Sequence, residues 1–218
     1  SFPADSFEIT EMVTPGAFRL MDSFTGRPPV GAVKAFLDAQ LPDGTWSPTG
    51  VAPVVSAGGV LMYPFIEKKQ QVIGMPARRY RFRVEAQFYE PGYAASLDGI
   101  EFLAFPYSDE VVLENYAKQV AIVPLHPGPA YAFAPEIPVL RGVVVRASNS
   151  ERVKHARVTK AAEEMVLSDG RGEFALPLRR IAAAQFDVDV DDLRTGEGAT
   201  KAVVVPDMLG INVVIDIL

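Results

Sequence analysis

Apolar and polar residues alternate along much of this chain. Gln185–Asp191, QFDVDVD, does so strictly: Phe186, Val188 and Val190 on one face, Asp187, Asp189 and Asp191 on the other. A period of two marks a half-buried strand. Ala77–Arg83, ARRYRFR, continues the pattern into Val84–Phe88, with Arg79, Arg81 and Arg83 set against Tyr80, Phe82 and Val84. It predicts a strand with a solvated basic face. Ile211–Leu218, INVVIDIL, alternates loosely and is placed to close a sheet. Val33–Ala39, Leu140–Arg146 and Lys201–Val205 are β-branched or apolar runs bounded by turn residues, and each predicts a strand. Helical spacing is scarce. Ser108–Gln119 offers a serine cap and two acidic residues in its first turn, which predicts one short helix. Ala161–Met165 reads as one helical turn or a strand edge.

Val166–Arg179, VLSDGRGEFALPLR, sets two glycines and an aspartate between apolar runs. Asp-Gly in that setting predicts a tight hairpin, because a type I′ turn needs positive φ at both central positions. A strand over Glu163–Ser168 would return over Gly172–Leu178, with Gly172 adding a bulge or a longer loop.

Prolines at 124, 127, 129, 135 and 138 make Pro124–Pro138 resist both helix and sheet, so a domain boundary is expected there. The halves on either side are faintly alike. FRLMD, a turn and AVKAFLDA precede the boundary; VLRGVVVRA, a turn and ARVTKAA follow it. The expected organisation is a first domain over 8–123, with an insertion at 41–70, a connector over 124–137 and a second domain over 138–218.

Composition narrows the class. The chain has 218 residues, 49% hydrophobic and 22% charged, enough to build a sizeable core. With 18 prolines and 17 glycines it predicts many short elements separated by turns. The net charge of −6 provides no basic surface to displace counterions from phosphates, so no nucleic-acid partner is expected. There is no cysteine, which removes disulfides, thiolate metal sites and cysteine nucleophiles. No apolar run approaches the ~18 residues of a membrane helix, so no membrane insertion is expected. SFPADSFEITE lacks the basic and apolar regions of a signal peptide, and the compartment stays undetermined.

These residues point to a family. LRGVVVRASNSERVKHARVTKAAEEMVLSDGRGEFALPLR resembles the carboxypeptidase regulatory-like domain of the transthyretin, or prealbumin-like, group. The features that carry the resemblance are Gly142, Ala156, Ser168-Asp169, Gly172, Phe174 and Leu176. The likeness spans roughly 138–218. MDSFTGRPPVGAVKAFLD is similar to the D-x-x-T-G-x-P opening of the same group, and YRFRVEAQFYEPGY to a later strand with a Pro-Gly turn. The resemblance implies an all-β protein of two Greek-key β-sandwich domains joined by the Pro-rich connector, with at most one or two short helices. Within it, Asp169 would bond the backbone of its own turn, and Gly172 would take a conformation other residues resist. Phe174 and Leu176 would enter the core.

The chemistry of enzymatic relatives does not carry over. Hydroxyisourate hydrolase-type members use several histidines and a terminal Tyr-Arg-Gly-Ser, whereas this chain ends VVIDIL and holds only His126 and His155. The closely spaced histidine pair of the intradiol dioxygenases is missing as well. Each histidine reads as a surface or hydrogen-bonded residue. The alternating aspartates read as a solvated, edge-protecting face, since one strand face cannot gather the six to eight oxygens of calcium. TGEGATK lacks the ending of a phosphate loop and reads as a hairpin loop. No catalytic residue, metal or cofactor is assigned. The expected role is non-enzymatic, structural or protein-binding, in a larger bacterial-surface or phage-like assembly, with a protein partner or self-association. The alternative is a carbohydrate-binding module whose exposed aromatics, Trp46, Tyr89 and Tyr93, hold a glycan. A hydrolase with an unrecognised site around Asp187–Asp192 is the third reading.

Overall fold

The structure is a computed structural model. It describes residues 14–64, 66, 67, 76–93, 98–106, 117, 119–161, 164–181 and 184–218. Every regular element among them is a strand. The expected helix over Ser108–Gln119 falls almost wholly outside the described residues. The strands are β1 (Ala17–Asp22), β2 (Val33–Gln40), β3 (Trp46–Pro48), β4 (Val54–Val55), β5 (Val60–Met62), β6 (Arg78–Ala86), β7 (Tyr89–Pro91) and β8 (Ile100–Ala104). They continue with β9 (Ala121–Pro127), β10 (Val139–Arg146), β11 (Ala156–Lys160), β12 (Glu164–Leu167), β13 (Glu173–Pro177), β14 (Gln185–Asp192), β15 (Gly198–Val204) and β16 (Val213–Ile217). The chain divides into two compact units: residues 1–19, 37–81 and 101–121 form the first, and residues 20–36, 82–100 and 122–218 the second.

In the first unit β1, β5 and β4 form an antiparallel ladder, with Phe18 opposite Leu61 and Val55 opposite the same leucine. β2 and β3 form a hairpin in which Gln40 faces Trp46. Phe18, Leu37, Ala39, Tyr63, Tyr80 and Ala104 are buried. Phe18 lies 5.6 Å from Phe102, and Tyr80 stacks on Phe102 at 6.0 Å. The expected insertion at 41–70 supplies β3, β4 and β5.

In the second unit β7 pairs with β9, setting Glu90 opposite His126. The four residues Pro124–Pro127 of the expected connector are therefore strand. A proline can sit where its missing N–H is not called on, and the Pro124 carbonyl still accepts from Gly92 N–H at 2.8 Å. From Val139 onward the chain makes two sheets, ordered β13-β10-β16 and β12-β11-β14-β15. β16 runs parallel to β10, with Gly142 opposite Val213. Leu140, Val144, Val158, Phe174, Val190 and Ile215 belong to one core filled by inward residues of both sheets. The alternation in β14 is as expected: Val188 and Val190 are buried, Asp187 and Asp189 exposed. β14 nevertheless lies inside its sheet, between β11 and β15, so its aspartates do not protect an edge.

The Asp-Gly turn differs from expectation in an instructive way. β12 pairs with β11 and β13 with β10, so the turn joins the two sheets and does not close a hairpin within one. Gly170 has no positive φ; Gly172 does, at 72°. Asp169 organises the corner as expected, its Oδ1 accepting from Arg171 N–H at 2.8 Å and Glu173 N–H at 2.9 Å. Ser168, fully buried, donates to the Val153 carbonyl at 2.6 Å and accepts from Ala156 N–H at 2.8 Å. Phe174 and Leu176 enter the core, as their spacing predicts.

Candidate functional site

Three loops of the second unit share one construction. In each, the N–H of the fifth residue bonds back to the first residue's carbonyl, and the first residue's N–H bonds to the carbonyl of the sixth. Gly26 and Arg27 do this for Asp22, Ser150 and Glu151 for Arg146, and Gly196 and Glu197 for Asp192, at 2.7–2.8 Å. The fifth residue is left-handed each time, with φ of 69°, 57° and 78°. Two of the loops spell D-x-x-T-G, Asp22–Gly26 and Asp192–Gly196. Their aspartates are 2% and 1% exposed. Each gives one oxygen to its own loop: Asp22 Oδ1 accepts from Phe24 N–H at 2.8 Å, and Asp192 Oδ1 from Arg194 N–H at 2.9 Å. The other oxygen goes to a distant partner. Asp22 Oδ2 accepts from the hydroxyl of Tyr131 at 2.8 Å and of Tyr89 at 3.4 Å. Burial, and then the Asp22 carboxylate, push the Tyr131 phenol well above its ordinary value. Asp192 Oδ2 takes the Arg146 guanidinium, which also donates to Glu197 at 2.9 Å. The repeated D-x-x-T-G was visible in the sequence and would have flagged both loops.

Of the three aromatics expected to be exposed, each has a partner within its own unit. Tyr89 is 3% exposed and committed to Asp22. The Tyr93 hydroxyl accepts from Val84 N–H at 2.8 Å. Trp46, in the first unit, is half-buried with the Arg81 guanidinium 4.6 Å from its ring centre. Arg81 in turn pairs with buried Asp38 at 2.9 Å, so the basic face of β6 is not wholly solvated.

A cavity of about 920 Å³ opens in the second unit. Its floor is the outer face of the β11–β14–β15 sheet, where Arg157 pairs with Asp191 at 2.8 Å and Thr200 donates to Asp189 at 2.7 Å. Ser23 and His126 also line it. Ser23 Oγ lies 3.0 Å from His126 Nδ1. His126 is 4% exposed. Burial lowers its pKa to about 4, and a hydrogen bond to the Met165 backbone opposes that shift. His155, at φ 59°, is also buried; burial first, then Lys154 and Arg194, lower it to about 4. Neither histidine is a surface residue, and no spacing in the sequence joins Ser23 to His126. Glu90 is raised to about 7 by burial, with Asp169 adding to the effect. Among the described residues no group of three or more histidine or acidic side chains is arranged to hold a metal.

No protein-family model matches the chain, and no curated protein matches it. Similar solved structures include the shaft pilin SpaA of Lactobacillus rhamnosus GG. One variant of it aligns over 94% of this chain and 96% of the pilin, at 9% identity and a TM-score of 0.32. The unmodified pilin aligns over 98% and 92%, at 8% identity and a TM-score of 0.28. At TM-scores this low the likeness decides nothing about function. The all-β sandwich class rests on the strands and sheets themselves.

Proposed function

We propose that this chain is a non-enzymatic structural protein that works by contact with other protein chains, as a component of a larger assembly at a bacterial surface or in a phage-like particle. Residues 138–218 are its contact-bearing sandwich domain, a reading supported by a core drawn entirely from 140–217. One observation carries the proposal. The edges of the two sheets differ: β12 and β13 are almost wholly buried, whereas β15 and β16 carry exposed residues. Around β15 and β16 lie Val204, Ile211, Val214 and Leu218, exposed by 40%, 58%, 49% and 86%. Open edges beside exposed apolar side chains favour strand-to-strand or face-to-face association. Light scattering across a concentration series is expected to give a mass above the 23.6 kDa of one chain. Val214→Lys is expected to return it to the monomer with an unchanged circular dichroism spectrum. A monomer at every concentration would sink the self-assembling form of the proposal.

A further inference from the structure

We propose that Ser23 is a self-acylating nucleophile, a modification site that accepts one acyl group from an activated ester or thioester with His126 as its base. This goes beyond the structural role above, which needs no covalent chemistry. The parts required are a hydroxyl, a base within hydrogen-bond reach, a group that orients the base, and room for the incoming carbonyl. All four lie in the second unit.

The hydroxyl is held by its backbone. Ser23 follows Asp22 on the D-x-x-T-G loop, and its N–H donates to the Leu125 carbonyl at 3.0 Å. Leu125 directly precedes His126, so that one backbone bond brings the serine side chain onto the imidazole, Oγ to Nδ1 at 3.0 Å. His126 is seated as tightly. β7 and β9 set it opposite Glu90. The ring fits because residue 92 is glycine: a Cβ there would stand 2.5 Å from His126 Nε2. The Met165 backbone hydrogen-bonds the ring, and in the tautomer that carries the proton on Nε2, Nδ1 turns its lone pair towards Ser23. Burial keeps the ring neutral at neutral pH, so that lone pair is available. Ser23 itself is exposed, and the cavity beside it runs past Met165, Ala199 and Thr200, space enough for an acyl chain.

The step balances without a further reagent. As Ser23 Oγ bonds to the donor's carbonyl carbon, its proton passes to His126 Nδ1. The tetrahedral adduct then collapses, the bond from carbonyl carbon to leaving-group oxygen or sulfur breaks, and the leaving group takes the proton from His126. A serine ester and a free alcohol or thiol result.

The probe is p-nitrophenyl acetate on the full chain at neutral pH, with nitrophenolate release followed by absorbance and acetyl positions mapped by peptide mass. Ser23 is expected to acetylate about 100-fold faster than Thr25 or Ser150, exposed hydroxyls that serve as controls in the same sample. Ser23→Ala removes that fast phase. His126→Gln, checked for folding by circular dichroism, removes it while leaving Ser23 in place. Acetylation of Ser23 at the rate of Thr25 and Ser150, or an unchanged fast phase in Ser23→Ala, overturns the proposal. Release continuing beyond one equivalent, dependent on Ser23, would support the nucleophile and overturn the non-enzymatic reading, so the two stand or fall separately.

Discussion

Gly172 and Gly170 sit two residues apart and do different work. Gly172 is left-handed, and a Cβ on it would meet the Val144 carbonyl oxygen at 2.9 Å. Gly170 has ordinary φ and open space around its Cα. Gly172→Ala is therefore expected to cost about 1–3 kcal/mol, and Gly170→Ala to fall within about 0.5 kcal/mol of neutral or to stabilise slightly. Urea denaturation of the two variants measures both. A type I′ hairpin at Asp169-Gly170 would reverse the order. The residues that make the turn were legible: Asp169 as its acceptor, Gly172 as its strained position, Phe174 and Leu176 as core. What the turn joins was not, because short-range patterns carry no information on whether two consecutive strands share a sheet or face each other across one. The aromatics were harder still. Tyr89 is buried by Asp22 and Tyr131, whose positions in the chain give no hint of that meeting.

At the scale of elements, alternation was a sound guide wherever one face met the core. β6, β14 and β16 were all legible from it, because a period of two directly reports a buried and an open face. It misled on the placing of β14, since an inner and an edge strand alternate alike. It was silent on the loops, where three turns, two sharing D-x-x-T-G and the third without glycine at its left-handed position, close in the same way. Arg146 links two of these loops. It begins one and holds the aspartate and Glu197 of another. Removing it strands Asp192, a carboxylate 1% exposed, without its cation. Losing the cation leaves a buried carboxylate without its compensating charge, which costs more than losing a surface pair, and the solvent that reaches Arg146 moderates the loss. Arg146→Ala should thus lower the urea midpoint sharply. Arg146→Ala combined with Asp192→Asn should recover part of the loss, because no charge is then left buried alone.

For the whole molecule, the buried titratable groups set how stability varies with pH. His126 and His155 have folded pKa values of about 4 against 6.5 for the free side chain. Between those values the unfolded chain binds more protons, so each histidine makes stability fall as pH falls from about 6.5 to 4. Glu90 acts oppositely. Its folded value of about 7 against 4.5 means the native state holds the proton more tightly, and stability falls as pH rises across that interval. Two groups outweigh one, leaving a net slope of about 1.4 kcal/mol per pH unit between roughly pH 4.5 and 6.5. Urea midpoints should fall steeply on acidification over that range. His155→Asn, which tolerates the left-handed backbone, should flatten the fall, and Glu90→Gln should raise stability at pH 8 more than at pH 5. A wild-type midpoint that stays level from pH 6.5 to 4.5 would show that these groups are not buried as described.

β16 is the last strand of the sandwich and lies against β10, its first, in parallel. Parallel neighbours cannot be joined by a short turn, and here everything from β11 to β15 lies between them in sequence. On a ribosome, β10 emerges with one flank vacant and waits for nearly the whole domain to be synthesised before that flank is filled. Until then Val144 has no Ile215 opposite it, and the core it shares with Phe174 lacks Ile215 and Ile217. The nascent chain therefore passes through a stage in which apolar core is made but not yet closed, and that interval is when a chaperone, or another nascent copy, would find it.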